Sequence, residues 1–321
     1  MKKILFTTVI VLLVSAGYAQ LNNSWIDYSK TYYKFRLAKD TLTRISQPVL
    51  AAAGLGNVPA EQFQLWRNGQ QVRIYTSVPT GIMGASDYIE FWGMMNDGKP
   101  DKQLYKDPDY QLSEKYSLET DTVTYFLTVN PVGSNLRYIA SANNTAGNVL
   151  PPDPYFLRRI EVNYHVQVNK GLADPNYGEY LFSSAYDIGE GWASSDIYPS
   201  ASLSRTLQNM NRYAAGPANS VMFTVSASGS APNTRDLVVK LGATTILGPT
   251  AGPNPMPFFT YHKDTVRNLP LSLLTSPSSL VVNISSNSTI GTDRMNVACF
   301  SITYPATFNF NNEKNFYFEL K

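Results

Sequence analysis

Reactive side chains are scarce in this chain of 321 residues, which has two histidines, His165 and His262, and one cysteine, Cys299. A thiolate nucleophile needs a nearby base and an electropositive, partly exposed setting. Cys299 sits instead in the apolar run "NVACFSI", which reads as the middle of a strand, where a lone cysteine behaves as a small hydrophobe. His165 falls in another alternating strand and His262 beside a turn, and neither comes with a Gly-x-Ser-x-Gly elbow. Two histidines and one cysteine so far apart have no zinc-ligand spacing, and dinucleotide and P-loop fingerprints are absent. No catalytic residue is assigned, and the chain by itself reads as a non-enzyme.

Carboxylates are the remaining chemistry. The segment "YDIGEGWASSDIY" sets Asp187, Glu190 and Asp196 around Trp192. Such a group suits a calcium ion, a sugar, another domain, or a glycosidase-like pair. The structural role competes with all of these: the glycines permit a tight bend and Trp192 plugs a sandwich edge. Hydrolysis ranks last, because nothing in the pattern fixes the carboxylate separation it requires. A second acidic stretch, "DYIEFWGMMNDGKPDKQLY", raises the question of an EF-hand. With Gly98 as the sixth loop position, the first, third and twelfth would be Gly93, Met95 and Leu104, none of which carries a side-chain oxygen. No cofactor is called for; Asp97 and Asp101 are left as candidate ligands of an irregular calcium site. Asn-Asp-Gly followed by Lys-Pro is more simply turn chemistry, so "NDGKPD" is expected to be a corner.

The elements that must position these residues are strands. In "EQFQLWRNGQQVRIYTS", Phe63 and Leu65 alternate into Asn68-Gly69, which suits a two-residue hairpin, and Val72 and Ile74 lead out again. In "TYYKFRLAKDTLTRI", Tyr33, Phe35 and Leu37 share a face, and Leu42 to Ile45 is expected to return alongside after a turn at Lys39 and Asp40. "SQPVLAAAGLGN" reads as one short helix, with Ser46 at its N-cap and glycines to stop it. "DTVTYFLTVN" and "LRYIAS" read as further strands. The Asn, Gly and Pro content of residues 143–154 marks a boundary near Pro151.

Beyond it, Ile160, Val162, Tyr164, Val166 and Val168 alternate in one long strand. "SVMFTVSAS", "RDLVVKLG" turning through Gly242-Ala243 into "TTIL", "SSLVVNISS" and "RMNVACFSITYP" follow. Short strands between turn signals predict an all-β chain of two antiparallel domains in tandem, the second a jelly-roll-like sandwich. The segment from Ala173 to Gln208 reads as an irregular excursion. The last residues, with Phe308, Phe310, Phe316, Phe318 and Leu320 alternating through an Asn-Asn turn, predict a terminal hairpin. The expected layout is residues 1–19 as a leader, 20–150, 151–306, and 307–321.

That leader, "MKKILFTTVIVLLVSAGYAQ", has two lysines, an apolar run and small residues, the layout of a secretory signal peptide cleaved between Ala19 and Gln20. No second apolar stretch approaches membrane-spanning length. With 26 basic and 24 acidic residues scattered singly, the chain lacks the basic stripe that nucleic acid requires. Its 43% hydrophobic content suffices for two cores, and a single cysteine leaves stability to packing rather than disulfides. Asn22, Asn143, Asn283 and Asn287 begin Asn-x-Ser/Thr triplets, which matter only where a glycosylation system exists.

In order along the chain, "YYKFRLAKDTLTRIS", "EQFQLWRNGQQVRIY", "DYIEFWGMMNDGKPDKQLY", "YSLETDTVTYFLTV" and "GEGW" resemble the region ahead of the peptidase domain in gingipain-type cysteine peptidases. More narrowly they resemble the sortase-like members tied to type IX secretion in Bacteroidetes. The resemblance is closest from about Tyr32 to Val129. It implies a secreted or outer-membrane surface protein of a Gram-negative bacterium, whose β-modules precede a caspase-like domain with a Cys and His pair. It also implies partners: that peptidase domain or components of the secretion system, with a surface glycan as the alternative for a stand-alone module. The chain runs to Lys321 without that domain, and Cys299 does not match its nucleophile, so no catalytic residue is carried over.

Overall fold

The computed structural model describes residues 23–142, 146–147, 151–171, 173–174, 181–182, 186–230, 233, 235–249, 261–313, 316 and 318. The expected leader, with Ala19 and Gln20, lies outside them, as do Asn22, Asn143 and Leu320. Among the described residues the fold is all-β, with antiparallel sheets and one short α-helix. Two compact units are present: the first ends at Asn96 and resumes at Thr120, and the second combines Asp97–Glu119 with the chain from Ala146 onward. No described helix is long and apolar enough to cross a membrane.

In the first unit, β1 (Tyr33–Leu37), β2 (Thr41–Ser46), β3 (Phe63–Arg67), β4 (Gln70–Val72), β5 (Tyr75–Thr76), β6 (Tyr88–Gly93) and β7 (Val123–Val129) make two sheets. Their orders are β1-β7-β3-β4 and β2-β6-β5. Phe63 and Leu65 of β3, Ile89 and Phe91 of β6, and Tyr125 and Leu127 of β7 meet in one core. The Asn68-Gly69 hairpin forms as expected, with φ of 48° and 74°, the pairing a two-residue turn demands. Helix α1 (Gln47–Ala52) follows Ser46, yet the Ser46 side chain makes no capping bond, and a proline in the first turn fixes the start.

Two expectations are corrected here. Strands β1 and β2 do not pair, because each has a stronger partner elsewhere. Phe35 stacks on Tyr125 of β7 with ring centroids 5.5 Å apart, while Arg44 pairs with Glu90 of β6 and lies 3.7 Å over the Tyr88 ring. Leu136–Ser141 is not a strand: it makes a single bridge, Arg137 to Ile74. The Arg137 guanidinium holds it by donating to the carbonyls of Ala60, Glu61 and Phe63.

The second unit contains β8 (Phe156–Asn163), β9 (Gln167–Asn169), β10 (Ala173–Asp174), β11 (Leu181–Phe182), β12 (Gly191–Ala193), β13 (Ser202–Gln208), β14 (Val221–Gly229), β15 (Leu237–Leu241), β16 (Thr244–Leu247), β17 (Tyr261–Leu269), β18 (Ser279–Ser286) and β19 (Met295–Ala306). Two four-stranded antiparallel sheets, β13-β18-β15-β16 and β17-β14-β19-β8, form the sandwich. Phe223, Val225, Phe300 and Ile302 from one sheet share a core with Val239, Leu241, Val282 and Ile284 from the other.

The long alternation from Ile160 to Val168 is two strands rather than one. β8 pairs with β19 and β9 with β12, and Val166 between them is 61% exposed. The excursion from Ala173 to Gln208 is also more regular than expected, since β13 pairs with β18 along its whole length. At the terminal hairpin, Asn311 and Asn312 take positive φ as a turn requires, but no strand forms among the described residues beside them. Their phenylalanines gather around Phe156 instead, Phe308 and Phe318 at 5.3 and 5.4 Å.

Candidate functional site

Asp97, Asp101, Asp187, Glu190, Trp192 and Asp196 all belong to the second unit. The first pair sits where the chain leaves β6. Asp97 is a turn residue, as expected: its Oδ1 accepts from the Lys99 amide at 3.2 Å and its Oδ2 faces Lys99 Nζ at 3.3 Å. Asp101, only 5% exposed, accepts from Ser117 Oγ at 3.1 Å and from the Leu118 amide at 2.8 Å. Gln111 donates to the Gly98 carbonyl at 2.6 Å. A Cβ on Gly98 would come within 2.6 Å of the Tyr116 carbonyl, so only glycine fits this approach.

From that corner the segment runs through two 3-10 turns, Pro100–Leu104 and Pro108–Tyr110, to the loop that carries "GEGW". Tyr105 makes a parallel bridge to Tyr186, and the Lys106 amide donates to the Tyr186 carbonyl at 3.0 Å. The Tyr105 hydroxyl donates to the Glu190 carbonyl at 2.6 Å, and the Gly189 amide donates to the Tyr110 carbonyl at 3.1 Å. Within the loop, the Asp187 amide donates to Glu190 Oε2 at 3.0 Å, while Asp187 itself accepts from the Ile188 amide and faces Lys106 Nζ at 3.3 Å. Gly189, at φ of 68°, packs so tightly on Ser228 that a Cβ would meet its Oγ at 2.3 Å.

Burial raises the Glu190 carboxyl above its ordinary pKa, and the neighbouring Asp187 charge adds to the shift. Burial is also the main cause that raises the Tyr105 hydroxyl, followed by the Glu190 charge. Trp192 donates its Nε1–H to the Ser117 carbonyl at 3.0 Å and meets the His165 ring edge-to-face at 3.8 Å, and His165 in turn stacks on Tyr116 at 4.4 Å. Asp196 has separate partners, Gln167 Nε2 at 2.9 Å and Arg294 Nη1 at 4.0 Å. Asp187, Glu190 and Trp192 are thus tied into one joint that Asp196 does not enter.

Between the two stretches lies a cleft lined by Tyr105, Leu112, Tyr116, Leu118, Glu190 and Trp192, with room for about one water molecule. Among the described residues, no three His, Cys, Asp or Glu side chains converge as metal ligands. Cys299 points its thiol at the Leu112 carbonyl, 3.6 Å away, and burial raises its pKa, the opposite of what a thiolate nucleophile needs. The side chain of His262 lies outside the described residues. Sequence reasoning found Asp187, Glu190 and Trp192 but gave no place beside them to Tyr105, Tyr186, Ser117 or His165, which complete the joint. The aromatic content of "KQLY" and "YSLE" was the available trace of them.

No family model and no curated protein matches the sequence. Among solved structures, dimeric latent PorU from Porphyromonas gingivalis is similar over 88% of this chain, at 10% identity and a TM-score of 0.45, and this chain spans about a quarter (25%) of that one. A carbohydrate-binding module, CBM36, in complex with calcium and xylotriose is similar over 44% of this chain and 98% of its own length, at 14% identity and a TM-score of 0.26. A β-porphyranase of glycoside hydrolase family 86 from Bacteroides plebeius covers 88% of this chain and 36% of its own, at 12% identity and a TM-score of 0.23. These likenesses are distant, and none assigns an activity to this chain.

Proposed function

We propose that this chain is the non-catalytic β-region of a secreted, surface-held gingipain-type protein, and that it supports or presents a cysteine peptidase domain of the same gene product. One observation carries the reading. Two of the stretches that resemble the family, "NDGKPDKQLY" and "GEGW", meet in a single joint, Tyr105 to Glu190 and Tyr105 to Tyr186. The carboxylates there bind amides, a hydroxyl and a lysine, which is the work of a scaffold. Calorimetry between the chain from Gln20 onward and the separately expressed peptidase region tests this, with and without calcium. Saturable heat at micromolar or tighter affinity is expected. No heat together with unchanged peptidase activity overturns it, as does peptide-bond hydrolysis by this chain alone.

A second reading, a glycan-binding surface module, is favoured by the aromatic step of Tyr116, His165 and Trp192, in which Tyr116 stacks on His165 and Trp192 meets His165 edge-to-face beside the Asp187 and Glu190 loop. A glycan array read with the unsubstituted chain and with Trp192→Ala, in calcium and in chelator, separates the two readings. Calcium-dependent retention lost in the variant supports the module, and silence in every arm removes it.

A further inference from the structure

The segment Asp97–Glu119 precedes the return of the chain to the first unit, yet it is built into the second. Asp101, Tyr105, Gln111, Leu112 and Ser117 are all buried in it. Its own regular structure is two short 3-10 turns, too little to order it alone. Its order comes from bonds to residues far along the chain. Ser113 Oγ donates to Asn163 Oδ1 on β8 at 3.0 Å, and the Cys299 thiol on β19 reaches the Leu112 carbonyl. Trp192 on β12 donates to the Ser117 carbonyl, and Tyr105, Lys106 and Tyr110 bond the loop from Tyr186 to Glu190. By contrast, Pro151, Pro152, Asp153 and Pro154, the connection just before β8, are all exposed.

We infer that Asp97–Glu119 is a clasp: after a single cut in the connection before β8, the N-terminal part of the chain stays bound to the C-terminal part through this segment. Cleavage there is then silent for assembly, because the second unit takes one of its own packing elements from the other side of the cut. The inference rests on chain order and on bonds within the second unit, and it is independent of the function proposed above.

The experiment inserts a specific protease recognition sequence with glycine-serine flanks between Pro152 and Asp153 of the full chain. The protein is cut, then passed over a sizing column with and without urea. One native peak at the uncut position containing both fragments, resolved into two only in denaturant, is expected. Separate native peaks or aggregation on cutting overturns the inference. Leu112→Ala and Trp192→Ala, made in the same protein and checked for folding before cutting, identify the source of the retention. Each is expected to raise the fragment dissociation constant about tenfold or more. Retention as tight as in the unsubstituted cut protein would mean that the parts associate elsewhere and would overturn the clasp.

Discussion

Two of the acid–base pairs in the second unit have similar chemistry and opposite settings. Arg235 and Asp293 are both buried, the guanidinium bonding both carboxylate oxygens with Asn233 adding a further contact at 3.2 Å. Lys106 and Asp187 meet at the joint with the lysine side chain 48% exposed. The buried pair fills the space beside Gly229, where a Cβ would collide with the Arg235 guanidinium, so that side of the pair is closed by the backbone of β14. The second pair shares its carboxylate with a backbone amide and leaves its lysine in water. One arrangement makes the ions depend on each other. In the other, the loop's own amide bonds do most of the holding and the ion pair adds little.

The first way to break the comparison is Asp293→Ala, which leaves a buried guanidinium without its neutralising carboxylate and is expected to lose about 3–5 kcal/mol in urea unfolding. The double variant Arg235→Met with Asp293→Leu is expected to recover most of that loss, since apolar groups of similar volume carry no desolvation penalty. A double variant as unstable as the single one would show that shape, not charge, dominates the site.

Trp192→Ala comes next. It removes the ring that meets His165 and bonds Ser117, with an expected loss of about 2–3 kcal/mol, read by urea unfolding.

Acid separates the two regions by sign. The Asp293 carboxyl is held below its ordinary pKa by its bonds and charge contact with Arg235 against the opposing effect of burial, so its contribution is present above about pH 4 and fades as pH falls through the lowered folded value. Glu190 is raised, so its contribution is present below its unfolded pKa and is lost as pH rises through the folded value. Glu190→Gln keeps an acceptor for the Asp187 amide. It is expected to stabilise the protein at pH 7 by less than about 0.5 kcal/mol after solvent screening, and to give no gain near pH 4. Urea unfolding at the two pH values checks it, and a gain at both would locate the effect in packing. The smallest effect is expected from Lys106→Ala, a loss of about 0.5 kcal/mol or less that shrinks further in high salt.

Much of the architecture is legible from local pattern. The Asn68-Gly69 and Gly242-Ala243 turns and the strand alternation at β14, β18 and β19 depend on near neighbours in sequence, and period and turn chemistry report such features directly. Strand β13 escaped because only Leu203 and Leu207 on it are apolar, and an edge strand with much of its surface wet leaves little alternation to read. β1 was given the wrong neighbour for a different reason. A short connection after it permits a hairpin, and only the aromatic partners available on β7 decide against one.

The site divides in the same way. The sequence by itself determined that "NDGKPD" turns, because Asp97 and Gly98 act on amides and torsions a few bonds away, and that "GEGW" bends, because Gly189 and Gly191 allow positive φ. It also determined that the sole cysteine would lie on a strand, but not its surroundings: the apolar neighbours expected from "NVACFSI" give way to Ser226 and Asn163 on the flanking strands and the Leu112 carbonyl. Only the tertiary structure decided that these two turns are one joint. Tyr105 and Glu190 stand 85 residues apart, and no local pattern encodes which buried hydroxyl will meet which carbonyl. That choice is made by β8 and β19 of the sandwich and by β12 of the β9-β12 pair, which together fix where Asp97–Glu119 can satisfy its polar groups out of water.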